Sequence, residues 1–101
     1  MRSLIYHPGA KTDLAAAILF YRREGGVRLS ERFMRRVQAA IDKILSDPTA
    51  CPEVDVGIRR QRVWKFPFDI IFTEAGDKVT ILAASHQARD PDYWISRKSD
   101  E

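Results

Sequence analysis

Three side chains capable of acid–base chemistry follow the last apolar run of the sequence. His86 stands at the end of that run, with Arg89 three residues and Tyr93 seven residues further on. Cleavage of RNA by its own 2′-hydroxyl needs a base, an acid for the leaving oxygen and a cation for the charge on phosphorus. An imidazole, a phenol and a guanidinium can fill these roles, although a single histidine at a strand end is more often a hydrogen-bonded structural residue.

A cationic segment precedes these residues. Positions 58–68 hold no acid and four cations, namely Arg59, Arg60, Arg62 and Lys65. Alternation along a strand predicts that Arg60 and Arg62 share one face with Trp64. Guanidiniums beside an aromatic ring suit contact with RNA phosphates and bases. The same pattern is typical of a solvated edge strand that uses charge to prevent aggregation, and the residues alone leave both interpretations open.

The elements that must position these residues begin with a short strand and two helices. Ser3 to Tyr6 predicts a strand that ends at Pro8. Apolar residues at helical spacing then predict a helix, with one face formed by Leu14, Ala17, Ile18 and Tyr21. The glycine pair at 25–26 ends it, so a helical hairpin follows. The second helix carries an apolar stripe formed by Phe33, Val37, Ala40, Ile41 and Ile44, and its basic residues lie on the far side.

The second half of the chain predicts strands at 60–64, 68–74 and 79–85, the last two joined by a turn at 75–78. Loops this short make the three strands antiparallel, and residues 49–56 predict a polar loop. Asp90 and Pro91 predict a terminal helix, whose Tyr93 and Trp94 more often dock such a helix on its domain than bind a ligand.

The fold class is therefore α+β: an N-terminal strand, an α-helical hairpin packed on a small antiparallel sheet, and a short C-terminal helix. The predicted core comprises Leu14, Ile18, Tyr21, Phe33, Val37, Ile41, Ile44, Phe68, Ile70, Phe72, Ile81 and Leu82.

Length and composition restrict the possible functions. A chain of 101 residues predicts a single domain over 1–101. One cysteine, Cys51, excludes an internal disulfide and indicates the cytosol. No segment is long or apolar enough for a membrane span or a signal sequence, and no cofactor or metal motif is visible. A formal charge of +3 favours polyanions or an acidic partner.

The chain resembles the RelE/ParE family of small bacterial toxins, and the ParE branch in particular. In the N-terminal half the resemblance rests on Pro8, Ala10, Asp13-Leu14, Phe20-Tyr21, the stretch 33–44 and Asp47-Pro48. In the C-terminal half it rests on Gly57-Ile58-Arg59, Phe66-Pro67-Phe68, Ile81-Leu82, His86 and the run Arg89-Asp90-Pro91-Asp92-Tyr93-Trp94.

This resemblance implies a toxin of a type II toxin–antitoxin system, neutralised by a cognate antitoxin whose tail folds across it. ParE-like members inhibit DNA gyrase by binding, whereas RelE-like members cut mRNA on the ribosome. The strand position at which RelE-like nucleases carry a phosphate-binding arginine is Asp69 here, and a second arginine position falls on Gln87. A carboxylate there repels phosphate, so gyrase inhibition without catalysis is the expectation.

The resemblance also predicts the residues of each site. Antitoxin binding is expected at Leu14, Ile18, Tyr21, Phe33 and Val37. Contact with the target is expected at Arg59, Arg60, Arg62, Lys65, Arg89, Tyr93 and Trp94. Two alternatives stay open. One is a ribosome-dependent mRNA endonuclease, for which the candidates are Arg62, Lys65, His86, Arg89 and Tyr93. The other is a non-toxic basic domain that binds nucleic acid.

Overall fold

The structure is a computed structural model that describes residues 2–100. The first half holds strand β1 (Ser3–Tyr6) and helix α1 (Pro8–Ser46). A 3-10 turn at Pro48–Ala50 leads into four strands, β2 (Glu53–Asp55), β3 (Ile58–Val63), β4 (Phe68–Ala75) and β5 (Lys78–His86). The chain closes with α2 (Asp92–Ile95) and a second 3-10 segment, Ser96–Asp100. The predicted α+β class is confirmed.

Helix α1 is two limbs joined at a glycine. Gly26 has φ 76° and ψ −168°, a conformation that interrupts the helix and that residues with a β-carbon rarely adopt. An unbroken helix of 39 residues would be about 58 Å long, but the domain measures 39 Å along its longest axis. The limbs at 8–25 and 27–46 fold back on one another, and the rings of Tyr21 and Phe33 meet at 4.9 Å. The predicted hairpin is confirmed.

The sheet is mixed, and larger than the sequence predicts. Its strand order is β1-β5-β4-β3-β2, with β3, β4 and β5 antiparallel as predicted. Strand β1 pairs with β5 in parallel, so the prediction of a wholly antiparallel sheet is wrong. The reason is that β5 has a free edge, along which the carbonyls of Ile81 and of Asp77, the residue just before the strand, accept hydrogen bonds from His7 and Ser3. Strand β2 forms within the predicted loop at 49–56.

Apolar side chains cover both faces of the sheet. The main core lies between the sheet and the hairpin and includes Phe33, Ile41, Ile44, Phe68, Ile70, Phe72 and Ile81. A smaller cluster on the opposite face comprises Ile58, Ile71, Leu82, Ala83 and Trp94. Leu82 was predicted for a single core but joins the smaller cluster, because side chains alternate along a strand and its neighbour Ile81 faces the main core. Leu14 and Ile18, also predicted as core, are half-buried.

Candidate functional site

The end of β5 and the start of β4 meet at a cavity of about 310 Å³. Cross-strand pairing brings Phe68 opposite His86 and Asp69 opposite Ser85, so polar groups from both strands reach this end of the sheet. The wall contains Arg60, Asp69, His86, Gln87 and Arg89. Of the three groups that the sequence places at this end of the sheet, His86 and Arg89 line the cavity and Tyr93 does not, and the wall also contains a carboxylate.

Asp69 faces this cavity and pairs with Arg60. Its side chain is 14% exposed, and Oδ2 lies 3.6 Å from Nη1 of Arg60. Oδ1 is buried and has no hydrogen-bond partner among the described residues. The carboxylate thus offsets the charge of one arginine of the cationic strand and gives the cavity a negative group.

His86 is exposed and held by two neighbours. Its ring lies edge-on to Phe68, with centroids 5.2 Å apart. Its Nδ1 accepts a hydrogen bond of 3.0 Å from the backbone N–H of Ala88. Because Nδ1 is the acceptor, the neutral ring carries its proton on Nε2 and presents a donor to the cavity. His86 therefore has no free ring nitrogen with which to act as a general base.

Tyr93 lies between two arginines. The guanidinium carbon of Arg89 is 3.6 Å from the ring centroid and that of Arg97 is 4.9 Å away. Its hydroxyl is buried without a hydrogen-bond partner among the described residues. Burial raises the pKa of Tyr93 and the charge of Asp13 adds to this, while the charges of Arg89 and Arg97 oppose it only in part. The phenol is neutral near neutral pH, and its oxygen is turned away from solvent.

The two remaining cations of the nuclease hypothesis, Arg62 and Lys65, do not lie together. Arg62 is exposed and donates to Oε1 of Gln87 at 3.2 Å, which holds it near the cavity. Lys65 lies against the ring of Trp64, 4.9 Å from the ring centroid, and does not line the cavity. Trp64 follows the end of β3 and contacts Arg36 of the second limb of α1. The prediction that Trp64 shares a strand face with Arg60 and Arg62 is therefore wrong, because the strand ends at Val63.

Two residues predicted to contact a target instead hold the domain together. Arg59 donates from Nη1 to the carbonyl oxygens of Thr49 and Cys51, at 3.2 and 2.6 Å, and pairs with Glu53 at 3.4 Å. Trp94 is 4% exposed and belongs to the smaller apolar cluster. Arg59 ties down the segment after α1, and Trp94 docks the terminal helix.

A buried ion pair between Asp13 and Arg97 was not predicted from the sequence. Nη1 of Arg97 lies 2.9 Å from Oδ2 of Asp13 and also donates to the carbonyl of Leu82 at 2.9 Å. The same Oδ2 accepts from the N–H of Ala84. A β-carbon at Gly9 would collide with the Arg97 guanidinium, so glycine leaves the room that this side chain needs. These contacts fix the C-terminal segment, and with it Tyr93, beside the cavity.

No helix between residues 2 and 100 is long and apolar enough to cross a membrane. Within the same range no three or more His, Cys, Asp or Glu side chains gather where they could hold a metal ion.

Comparison with known proteins decides the family. The model of "ParE toxin of type II toxin-antitoxin system, parDE" matches residues 4–91, which is most of the chain. The protein belongs to the ParE toxin family. Among solved structures it is similar to one described as "Chromosomal ParDE TA system from P. aeruginosa", with 20% identity and a TM-score of 0.74 over 85% of this chain and 96% of that one. That likeness supports the fold. No curated protein sequence matches significantly.

Membership of a toxin–antitoxin family implies an antitoxin partner for this ParE-family chain. The five residues predicted to bind it divide into two groups. Leu14 and Ile18 are half-buried and line a groove of about 240 Å³ between the limbs of α1. Tyr21, Phe33 and Val37 are buried in the domain's own core, at 9%, 0% and 7% exposure, and of these Phe33 and Val37 also line the groove. Any partner in this conformation would reach the groove mainly through Leu14, Ile18 and the exposed Met34.

Proposed function

We propose that this ParE-family protein arrests bacterial growth by binding DNA gyrase, without cleaving nucleic acid. The observation that carries the proposal is Asp69, which faces the cavity at the end of the sheet and pairs with Arg60. A phosphate placed there would meet a carboxylate in a partly buried site. This carboxylate offsets Arg60, one of the two arginines of the cavity wall, and so weakens the attraction that the site would otherwise offer a scissile phosphate.

The neighbouring groups support the same conclusion. His86 uses Nδ1 to accept from the backbone, and the hydroxyl of Tyr93 is buried. Attack by a 2′-hydroxyl needs a base within hydrogen-bond reach of that hydroxyl and an acid at the leaving oxygen. With Nδ1 occupied, His86 offers no free ring nitrogen as the base, whereas inhibition by contact requires neither a base nor an acid.

The target surface that we propose is centred on Arg62 and Arg89. Both side chains are exposed, and among the described residues neither forms an ion pair. Arginine is enriched among the residues that dominate protein interfaces because its planar group makes several hydrogen bonds at once. Arg60 contributes less because Asp69 already offsets its charge.

A gyrase assay tests this proposal. Purified protein added to gyrase and plasmid should abolish supercoiling or accumulate cleaved DNA, and ribosome-bound mRNA should remain intact. The Arg62→Ala/Arg89→Ala variant should lose the effect, while Lys11→Ala/Lys78→Ala, which removes two exposed cations elsewhere, should retain it. Cut mRNA with unaffected gyrase would identify the nuclease alternative. A protein that affects neither and does not slow growth would be the non-toxic nucleic-acid-binding domain.

We propose further that the antitoxin tail places apolar side chains in the groove between the limbs of α1. The groove is open and lined by Leu14, Ile18 and Met34, so a partner covering it would remove apolar surface from water. The product of a neighbouring reading frame, co-expressed with the toxin, should restore growth. Ile18→Glu should weaken that complex, and Leu19→Glu, at an exposed leucine outside the groove, should not. Equal loss with both variants would contradict the assignment.

A further inference from the structure

A second charged surface lies on the hairpin, away from the cavity. Five cations of the second limb of α1 fall within an arc of about 100°, at 100° per residue, and form what we call the basic stripe: Arg28, Arg32, Arg35, Arg36 and Lys43. The stripe is about 22 Å long at 1.5 Å per residue. Among the described residues none of the five forms an ion pair. Asp42, at the edge of the arc, accepts instead from Gln38.

An exposed tryptophan joins the basic stripe to the sheet. Trp64 is 59% exposed, and the guanidinium of Arg36 lies 4.6 Å from its ring centroid. A shallow groove of about 330 Å³ beside it is lined by Arg36, Lys43, Arg62 and Trp64. The neighbours of this ring in the groove are cations and small or neutral side chains.

The backbone next to Trp64 is strained in a way that keeps a second cation at the ring. Lys65 has φ 68°, the one positive φ at a non-glycine among residues 2–100. The N–H of Phe66 donates to the carbonyl of Val63, so residues 63–66 form a tight turn. Glycine would adopt the backbone conformation of this turn at position 65 more easily than lysine does. In this turn the Lys65 ammonium lies 4.9 Å from the ring of Trp64. Strain of this kind is concentrated at functional sites.

We propose that the basic stripe and Trp64 form a binding surface for single-stranded nucleic acid. Phosphates would lie along the stripe, and an unpaired base would contact the exposed indole. A duplex hides the faces of its bases, whereas a single strand offers Trp64 the face of an unpaired base beside each phosphate that the stripe can contact. Binding of single strands is an activity separate from gyrase binding and is measured without gyrase. The single-strand proposal and the gyrase proposal can therefore fail independently.

The test is titration of the purified protein with a labelled oligothymidylate of about 12 nucleotides. Each phosphate contact on a single strand contributes about −0.7 to the slope of log K against log salt. Replacing two stripe cations, Arg36→Gln/Lys43→Gln, should therefore reduce that slope by about 1.4 and weaken binding about 25-fold at 0.1 M salt. The control variant Lys11→Gln/Lys78→Gln loses the same charge on another part of the surface. It should change the salt slope and the affinity far less.

Tryptophan fluorescence tests the base contact separately. Trp94 is buried, so quenching on binding reports Trp64. Oligothymidylate should quench the parent, and Trp64→Phe should lose the signal while retaining most of the salt dependence. Circular dichroism checks that each variant is folded. Equal binding of duplex DNA, equal competition by polyglutamate, absence of quenching, or equal effects of the two double variants would overturn the proposal.

Discussion

The buried ion pair between Asp13 and Arg97 should control the stability of the domain. The two side chains are 7% and 16% exposed and their charged atoms lie 2.9 Å apart. Each also forms a hydrogen bond with the backbone of β5. Asp13 accepts from the N–H of Ala84 at 3.2 Å, and Arg97 donates to the carbonyl oxygen of Leu82 at 2.9 Å. Replacement of either partner would leave a charge and a backbone group without partners in a place that water hardly reaches.

The expected loss follows from this burial. Removal of one member of a buried pair costs about 3–5 kcal/mol, because the remaining charge keeps its desolvation penalty and loses its partner. Asp13→Leu should fall at the upper end, since it also leaves the Ala84 N–H unpaired. Arg97→Met should fall at the lower end, since the more exposed arginine site admits some water to Asp13. A domain of this size is stabilised by about 5–15 kcal/mol, so either change removes a large part of its stability.

Urea denaturation of the parent, both single variants and Asp13→Leu/Arg97→Met provides the assay. The double variant should be more stable than the sum of the single losses implies, by about 2 kcal/mol or more, because it leaves no unpaired charge. Single losses below about 1 kcal/mol, or strictly additive losses, would refute the reasoning, since exposed pairs behave that way.

Three further predictions concern single residues. Lys65→Gly should raise the free energy of unfolding by about 1 kcal/mol, because glycine adopts φ 68° without strain; a lower urea midpoint would contradict this. Burial raises the pKa of Tyr93, so the stability it contributes is present below about pH 10 and is lost as pH rises through the folded-state pKa. Tyr93→Phe should thus flatten the alkaline fall in stability measured by urea melts. Burial also raises the pKa of Cys51, so a thiol reagent should modify the native protein far more slowly than the unfolded one; equal rates would contradict it.

Much of the fold could be predicted because its signals are local. Helical spacing of apolar residues and a glycine pair predict the hairpin, and Gly26 breaks the helix as expected. Alternating and continuous apolar runs predict β3, β4 and β5 to within about two residues. The parallel pairing of β1 with β5 could not be predicted in this way. It depends on which sheet edge remains free once the domain is assembled.

The site was harder to predict because its contacts join distant parts of the chain. Asp13 and Arg97 are 84 residues apart, and nothing near either one indicates its partner. The alternation rule placed Trp64 on a strand face, but the tight turn at Lys65 ends the strand first and directs the ring to Arg36. The sequence identifies Arg59 as a cation able to donate hydrogen bonds, but only the tertiary contacts show that it donates them to backbone carbonyls.

We propose that the toxin acts by contact with gyrase and breaks no RNA. The most direct measurement is to induce the protein in growing cells and to follow gyrase-linked DNA breaks and mRNA ends in the same samples. We predict gyrase-linked breaks or loss of plasmid supercoiling, with mRNA ends unchanged from uninduced cells. New mRNA ends at ribosome-bound codons, with supercoiling intact, would contradict the account and assign the arginines beside Asp69 to catalysis.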